Sequence, residues 1–243
     1  MSLLFKIAYP VAWLFVKIFY PFEIIGEEKL LKENRLIVYA NHISFLDPIN
    51  LAILAHRNGK VLNFMAKGEL FKNRLFTWFL KNVGAFPVNR GDGASSLKKA
   101  AEIIESGNTF CIFPEGARSK TGQLGRAKSG ISFLMSQLGV PAQPVAIVTK
   151  GQKMRVFQKT KIVVCDPVNF EDMNIEEGDR RVLRAVAAKL MEPIAESIEK
   201  YSKCGNKGCQ DGRILFWGQP SHGACGASVK KRRKGFDPRP LNS

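Results

Sequence analysis

His42 and Asp47, five positions apart, are the residues of this chain best placed to do chemistry. They leave the apolar run Leu36-Ile37-Val38-Tyr39-Ala40 together, within Asn41-His42-Ile43-Ser44-Phe45-Leu46-Asp47-Pro48. Histidine is the usual side chain for taking a proton from a hydroxyl near neutral pH. A carboxylate on its other ring nitrogen orients the imidazole and supports the imidazolium that forms. The segment places no serine or cysteine in a nucleophile's role, which points to a hydroxyl carried by the substrate.

The same residues also have a purely structural reading. Proline is favoured at the first helical position, so Asp47 before Pro48 could be an N-cap. Ser44 and Asp47 have capping-box spacing. Five residues on a regular helix turn through about 140°. On such a helix His42 and Asp47 would not share a face, and a loop entering a helix could bring them together.

The elements around them alternate. Apolar runs predict strands near 36–40, 61–65, 84–88, 109–113, 144–148 and 155–165, and helical periodicity predicts helices near 48–56, 69–82, 94–106, 127–138 and 179–202. In the 94–106 segment, Leu97, Ala100, Ala101 and Ile104 form the apolar stripe, and Gly107 ends it. This order predicts an α/β fold with a largely parallel central sheet flanked by helices. Sites in such folds gather at the carboxyl ends of strands. His42, Arg90 and Glu115 each closely follow a predicted strand.

Three further blocks follow the first: Gly84-Ala85-Phe86-Pro87-Val88-Asn89-Arg90, Phe113-Pro114-Glu115-Gly116-Ala117-Arg118-Ser119 and Val140-Pro141-Ala142-Gln143-Pro144-Val145. With Asn41-His42-x-Ser44-x-x-Asp47, this ordered set resembles the glycerolipid acyltransferases, over about Leu36 to Ile147. Ala117 departs from the threonine usual in the third block, which removes one hydroxyl from that loop. The resemblance implies transfer of a fatty acyl group from acyl-coenzyme A or acyl-carrier protein, as co-substrate, to the sn-2 hydroxyl of lysophosphatidic acid. It implies His42 as the base and Asp47 as its orienting partner, with no cofactor. Arg90 and Arg118 are then the forks for the acceptor phosphate. Glu115, Gly116, Ser44 and Lys128 complete the expected substrate-binding set. An acyltransferase for another lysolipid, such as a lyso-amino-lipid, and a non-enzymatic protein that binds anionic lipid are the competing readings.

The 243 residues carry a net charge of +16, which calls for an anionic partner such as a phospholipid surface, a phosphorylated substrate or coenzyme A. Apart from Lys230-Lys231-Arg232-Arg233-Lys234 near the end of the chain, the basic residues are dispersed, and no nucleic-acid-binding module is visible, so nucleic acid is not an expected partner. No P-loop pattern or metal-ligand constellation is present. Of the five cysteines, Cys111 and Cys165 lie in apolar runs and read as buried thiols, and a reducing compartment fits.

Residues 1–20 are apolar and aromatic, with only Lys6 and Lys17 charged. On a helical wheel these lysines point within about 20° of each other, and Ser2, Tyr9, Trp13 and Tyr20 flank them. A wide apolar surface with a narrow Lys/Trp/Tyr stripe suits a helix lying in a bilayer interface. A helix packed on the domain's own core is the structural alternative. The segment from Leu70 to Val83 also mixes aromatic and basic residues. The expected organisation is an interfacial membrane helix over 1–25, an acyltransferase domain over 26–203, and a basic, disordered tail over 204–243. With the resemblance, this implies a peripheral enzyme on the cytoplasmic face of the cell inner membrane.

Overall fold

Strand β2, Ile37–Ala40, lies in the middle of the fold, and all four of its residues are buried. Ile37 and Tyr39 pack on one side, Val38 and Ala40 on the other, as the two-residue repeat of a strand requires. A strand apolar on both faces needs cover on both, which is the signature of a parallel sheet between helices. The computed structural model describes residues 10, 13–82, 84–88, 93–173 and 179–203.

Among these residues the chain runs β1 (Phe22–Ile25), β2, α1 (Asp47–Arg57), β3 (Leu62–Lys67), α2 (Arg74–Asn82), β4 (Ala85–Val88), α3 (Gly93–Glu105), β5 (Thr109–Ile112), α4 (Gly130–Leu138), β6 (Ala142–Val148), β7 (Thr160–Val164), α5 (Arg180–Leu190) and α6 (Glu192–Lys203). The strands form one seven-stranded sheet in the order β1-β7-β6-β2-β5-β3-β4. β2 pairs in parallel with β5 and β6, and β3 with β4 and β5. The sheet is thus largely parallel, as the alternation of elements predicts.

One face is covered by α3, α4, α5 and α6 through Ala100, Ile104, Ile131, Leu134, Val186, Leu190 and Ile194. The other face takes α1 through Leu51, Leu54 and Ala55. Tyr39 is fully buried, and its hydroxyl donates to the Leu190 carbonyl oxygen at the end of α5 (2.8 Å), so the polar tip is satisfied. Cys111 and Cys165 are buried free thiols, as their apolar runs predict.

Three features differ from the sequence reading. A single helix is expected over 179–202, but the chain breaks at Met191 into α5 and α6. Pro193 lacks the N–H that an uninterrupted helix would use there. No strand is expected before Leu36, yet Phe22–Ile25 pairs with β7 at the edge of the sheet. The expected strand over 155–165 is shortened to Thr160–Val164, because Phe157 has a left-handed backbone (φ 61°) that no strand accommodates.

The sheet reverses direction at one seam. β7 is antiparallel to β6, and β1 is parallel to β7. The beginnings of β1 and β7 therefore lie at the same edge as the ends of β2, β5 and β6. Among the described residues, no helix is long and apolar enough to cross a membrane.

Candidate active site

The site is built where β2 ends. Asn41, the first residue past the strand, is buried and continues the sheet with its side chain. Its amide donates to the Ile147 carbonyl oxygen (2.9 Å), and its Oδ1 accepts the Ile147 N–H (2.8 Å). This two-way bond carries the link between β2 and β6 one residue beyond the strand. His42 therefore emerges from a fixed point.

The loop 42–46 then folds back so that His42 Nδ1 lies 2.9 Å from Asp47 Oδ2. The same oxygen accepts the N–H of Ile43 (2.7 Å) and of Ser44 (2.7 Å). A carboxylate only accepts, so Nδ1–H is the donor in this bond, and the neutral tautomer it selects carries its lone pair on Nε2. Asp47 is 0% exposed and the His42 side chain 17%. The carboxylate is thus sealed in, while the imidazole keeps one open side. Asp47 also begins α1, where the helix dipole favours negative charge.

Asp47 is not the N-cap that Pro48 suggests: Leu46 takes that position without a side-chain cap, and Asp47 stands in the first turn of α1. Its Oδ2 turns back instead to the His42 ring and to the N–H groups of Ile43 and Ser44. Ser44 is buried, and its hydroxyl accepts the Leu46 N–H (3.2 Å) within the turn. The His42 ring stacks on Phe113, with centroids 4.1 Å apart and planes 18° from parallel.

Glu115 connects the second loop to the first. Its Oε1 accepts the backbone N–H of His42 (2.8 Å), and its Oε2 accepts the N–H of Gly125 (2.8 Å). At Gly125 an added Cβ would stand 2.6 Å from Glu115 Oε2, so the close approach requires glycine. The backbone carbonyl of His42 in turn accepts the N–H of Ser119 (2.8 Å). Both backbone polar groups of the histidine are thus held by the 115–119 segment.

The remaining candidates fall in or beside this loop. Gly116 has φ +71°, and its N–H closes a turn on the Phe113 carbonyl oxygen (2.9 Å), which occupies that donor. The Lys128 side chain lies against Gly116, where a Cβ would meet its ammonium nitrogen at 2.7 Å. Arg118 is exposed and directly precedes the Ser119 that bonds His42. The loop therefore sets Arg118 one residue from a backbone bond to His42. Arg90 lies outside the described residues, as does the expected tail. Sequence reasoning gave no role to Asn41, Phe113, Ser119 or Gly125, although the first three stand inside the motif blocks. Among the described residues, no cluster of three or more His, Cys, Asp or Glu is placed to hold a metal ion.

Comparisons with known proteins place this arrangement in a family. The chain is 34% identical over 140 residues to a chloroplastic 1-acyl-sn-glycerol-3-phosphate acyltransferase of Brassica napus, which covers 56% of this chain and 40% of that protein. It is 30% identical over 184 residues to the 1-acyl-sn-glycerol-3-phosphate acyltransferase of Bacillus subtilis, covering 73% of this chain and 88% of the relative. The fold matches the crystal structure of the 1-acyl-sn-glycerophosphate (LPA) acyltransferase from Thermotoga maritima with a TM-score of 0.59 at 24% identity, over 81% of this chain and 76% of that one. The chain thus spans about 40% of the length of the plant relative and most of the bacterial one. The model of the Acyltransferase family matches residues 21–148, more than half the chain and the whole stretch from β1 to β6, so this protein belongs to that family.

Proposed function

We propose that this protein transfers a fatty acyl group from a thioester donor, acyl-coenzyme A or acyl-carrier protein, to the sn-2 hydroxyl of lysophosphatidic acid, giving phosphatidic acid. The observation that carries this reading is the His42–Asp47 pair, with Nδ1 on the carboxylate at 2.9 Å and the imidazole still partly exposed. The names of the relatives support the choice of acceptor. Nε2 takes the proton of the acceptor hydroxyl as its oxygen attacks the thioester carbonyl carbon. The C–S bond breaks, the new ester C–O bond remains, and the sulfur leaves as a thiol with the proton returned from the imidazolium. Asp47 holds the imidazole in one tautomer and stabilises its charged form through the cycle.

Arg118 and Arg90 are read as the forks for the acceptor phosphate, with Lys128 adding charge beside Gly116. Glu115 is read as a positioning residue, because both its oxygens are taken by backbone N–H groups. Residues 26–203 act as the acyltransferase domain, and the apolar N-terminal segment rests on the membrane at the cytoplasmic face. Leu14, Phe15, Ile18 and Phe19 are all exposed, which supports a bilayer over the protein's own core as their neighbour.

The test is to incubate purified protein with a panel of lysolipids and both thioester types and identify products by mass. Phosphatidic acid from lysophosphatidic acid is the expected product. Acylation of a lyso-amino-lipid in its place would overturn the acceptor, and no acyl transfer to any acceptor would overturn the activity.

A further inference from the structure

The edge of the sheet that carries His42 also carries a second exposed surface, which proton transfer at the dyad does not use. Residues 13–19 are helical and lead into β1, and residues 149–159 lead into β7. The seam between β6 and β7 brings both approaches to this edge. Val16 is buried and fixes the helix to the protein, while Leu14, Phe15, Ile18 and Phe19 face outward. Beside them stands Phe157, 70% exposed, with Val156 exposed as well. The N–H of Phe157 donates to the Phe19 carbonyl oxygen (2.6 Å), and their rings lie 5.9 Å apart. The N–H of Thr160 donates to the Pro21 carbonyl oxygen (2.8 Å). Helix and loop thus form one surface.

The loop's backbone is unusual. Gln152 (φ 50°) and Phe157 (φ 61°) are the two non-glycine residues with left-handed backbone among those described, and both lie here. A bulky side chain in that region is rare, and such outliers persist where the surroundings hold them, often at functional sites. Here the outlier turns an aromatic ring out beside Phe19.

The charges around the surface have one sign. Lys150, Lys153 and Arg155 are exposed on the loop, and the Lys17 ammonium sits 4.4 Å over the Trp13 ring. Neither 13–22 nor 149–160 contains an aspartate or glutamate. The nearest acid on β1, Glu23, is already paired with Lys159 (2.8 Å). Exposed apolar side chains ringed by unopposed basic ones match an anionic phospholipid surface. A further exposed aromatic, Phe45 (66%), lies in the loop between His42 and Asp47. β1 and β2 are three strand spacings apart, about 14 Å along the edge.

We propose that residues 153–157 are a second bilayer contact, seated with the N-terminal helix as one patch that docks on anionic phospholipid beside the dyad. This rests on the bilayer location proposed above and adds to it the loop before β7.

The test uses the full chain and vesicle flotation, with neutral phosphatidylcholine vesicles and vesicles containing an anionic phospholipid. Val156→Ser with Phe157→Asn removes the apolar side chains, and asparagine tolerates the left-handed backbone, so the fold and its thermal melting are expected to be kept. Vesicle affinity should fall about tenfold or more, with the rate on a short-chain, soluble lysolipid unchanged. Lys153→Gln with Arg155→Gln should weaken binding to anionic vesicles by about fivefold per charge and leave neutral vesicles unaffected. This second variant carries the test if the first does not fold. Failure of the wild-type protein to float with either vesicle would overturn the bilayer location itself, and the loop contact with it. Wild-type flotation with both loop variants binding equally well would overturn the loop contact alone. A change in oligomeric state by light scattering at unaltered vesicle affinity would also overturn it, because the patch would then seat a second copy of the chain.

Discussion

Glu115 holds His42 by the backbone rather than by the ring. One carboxylate oxygen accepts the His42 N–H at 2.8 Å, and the other accepts the Gly125 N–H at the same distance. Two N–H groups therefore converge on one charged acceptor, and each such bond contributes about 1.5–3 kcal/mol. Glu115→Gln keeps the shape but turns an NH₂ toward one of these donors. We expect a drop in thermal stability and a kcat lowered by about 10²-fold, because small misplacements of a base are costly. The KM for the acceptor should change little. Single-turnover acyl transfer and a melting curve check this. An unchanged chemical rate would remove Glu115 from the positioning of His42.

Gly125→Ala tests the same clamp from its other end. The added methyl would stand 2.6 Å from Glu115 Oε2, so the carboxylate or the loop must move. Overpacking of this kind costs about 1–3 kcal/mol. The expected outcome is lower stability together with a lower kcat, and Gly125→Ser should behave no better. Wild-type melting and turnover for the alanine variant would show that the contact relaxes without consequence.

His42→Ala should lower acyl transfer by about 10²–10⁴-fold, the usual range for loss of a general base, with the protein still folded. Asp47→Asn should cripple turnover as well, and it should also destabilise the fold. Its Oδ2 serves the N–H groups of Ile43 and Ser44 in addition to the imidazole. The two variants therefore differ in melting temperature while sharing a loss of rate. A folded His42→Ala protein with wild-type turnover would sink the mechanism.

Arg118→Ala should raise the KM for the phosphorylated acceptor about tenfold or more while leaving the KM for the thioester nearly unchanged, since the proposed role of the lost fork is to hold the phosphate. Arg118→Lys should recover part of the loss, because lysine supplies charge without the paired donors. Arg90→Ala is expected to act in the same direction. Steady-state kinetics with each substrate varied in turn decide the matter. A defect confined to the thioester would reassign the arginines to the donor.

Leu14→Glu with Phe15→Glu should release the protein from liposomes and abolish activity on bilayer substrate, with a short-chain soluble lysolipid still acylated. Both residues are exposed, so the domain core does not depend on them, whereas charge placed at bilayer depth is costly. Sedimentation with liposomes, paired with the soluble assay, reads both effects. Loss of activity on both substrates together with unfolding would mean that the segment packs on the core.

Much of the fold is legible in local pattern. The central strands are apolar runs bounded by turns, and the alternation with amphipathic helices leaves few topologies open. β1 was not legible, because its partner β7 lies far along the chain and an edge strand with intermediate burial lacks a clear apolar signature. The break between α5 and α6 could have been read from Pro193. At the site, His42, Asp47 and Glu115 were visible as residue types at strand ends. The backbone bonds of Glu115 and the side-chain bridge of Asn41 were not, because they join residues far apart in sequence and one end of each bond is main chain, which leaves no signature in residue type.

The double grip on His42 limits how this site can open. The histidine's N–H and C=O are each bonded to the segment that also carries Arg118. That segment cannot swing away as a lid without unfastening the base it would uncover. Movement of the 115–119 loop would cost both backbone bonds of His42, so substrates meet a histidine and an arginine-bearing loop that are already latched together.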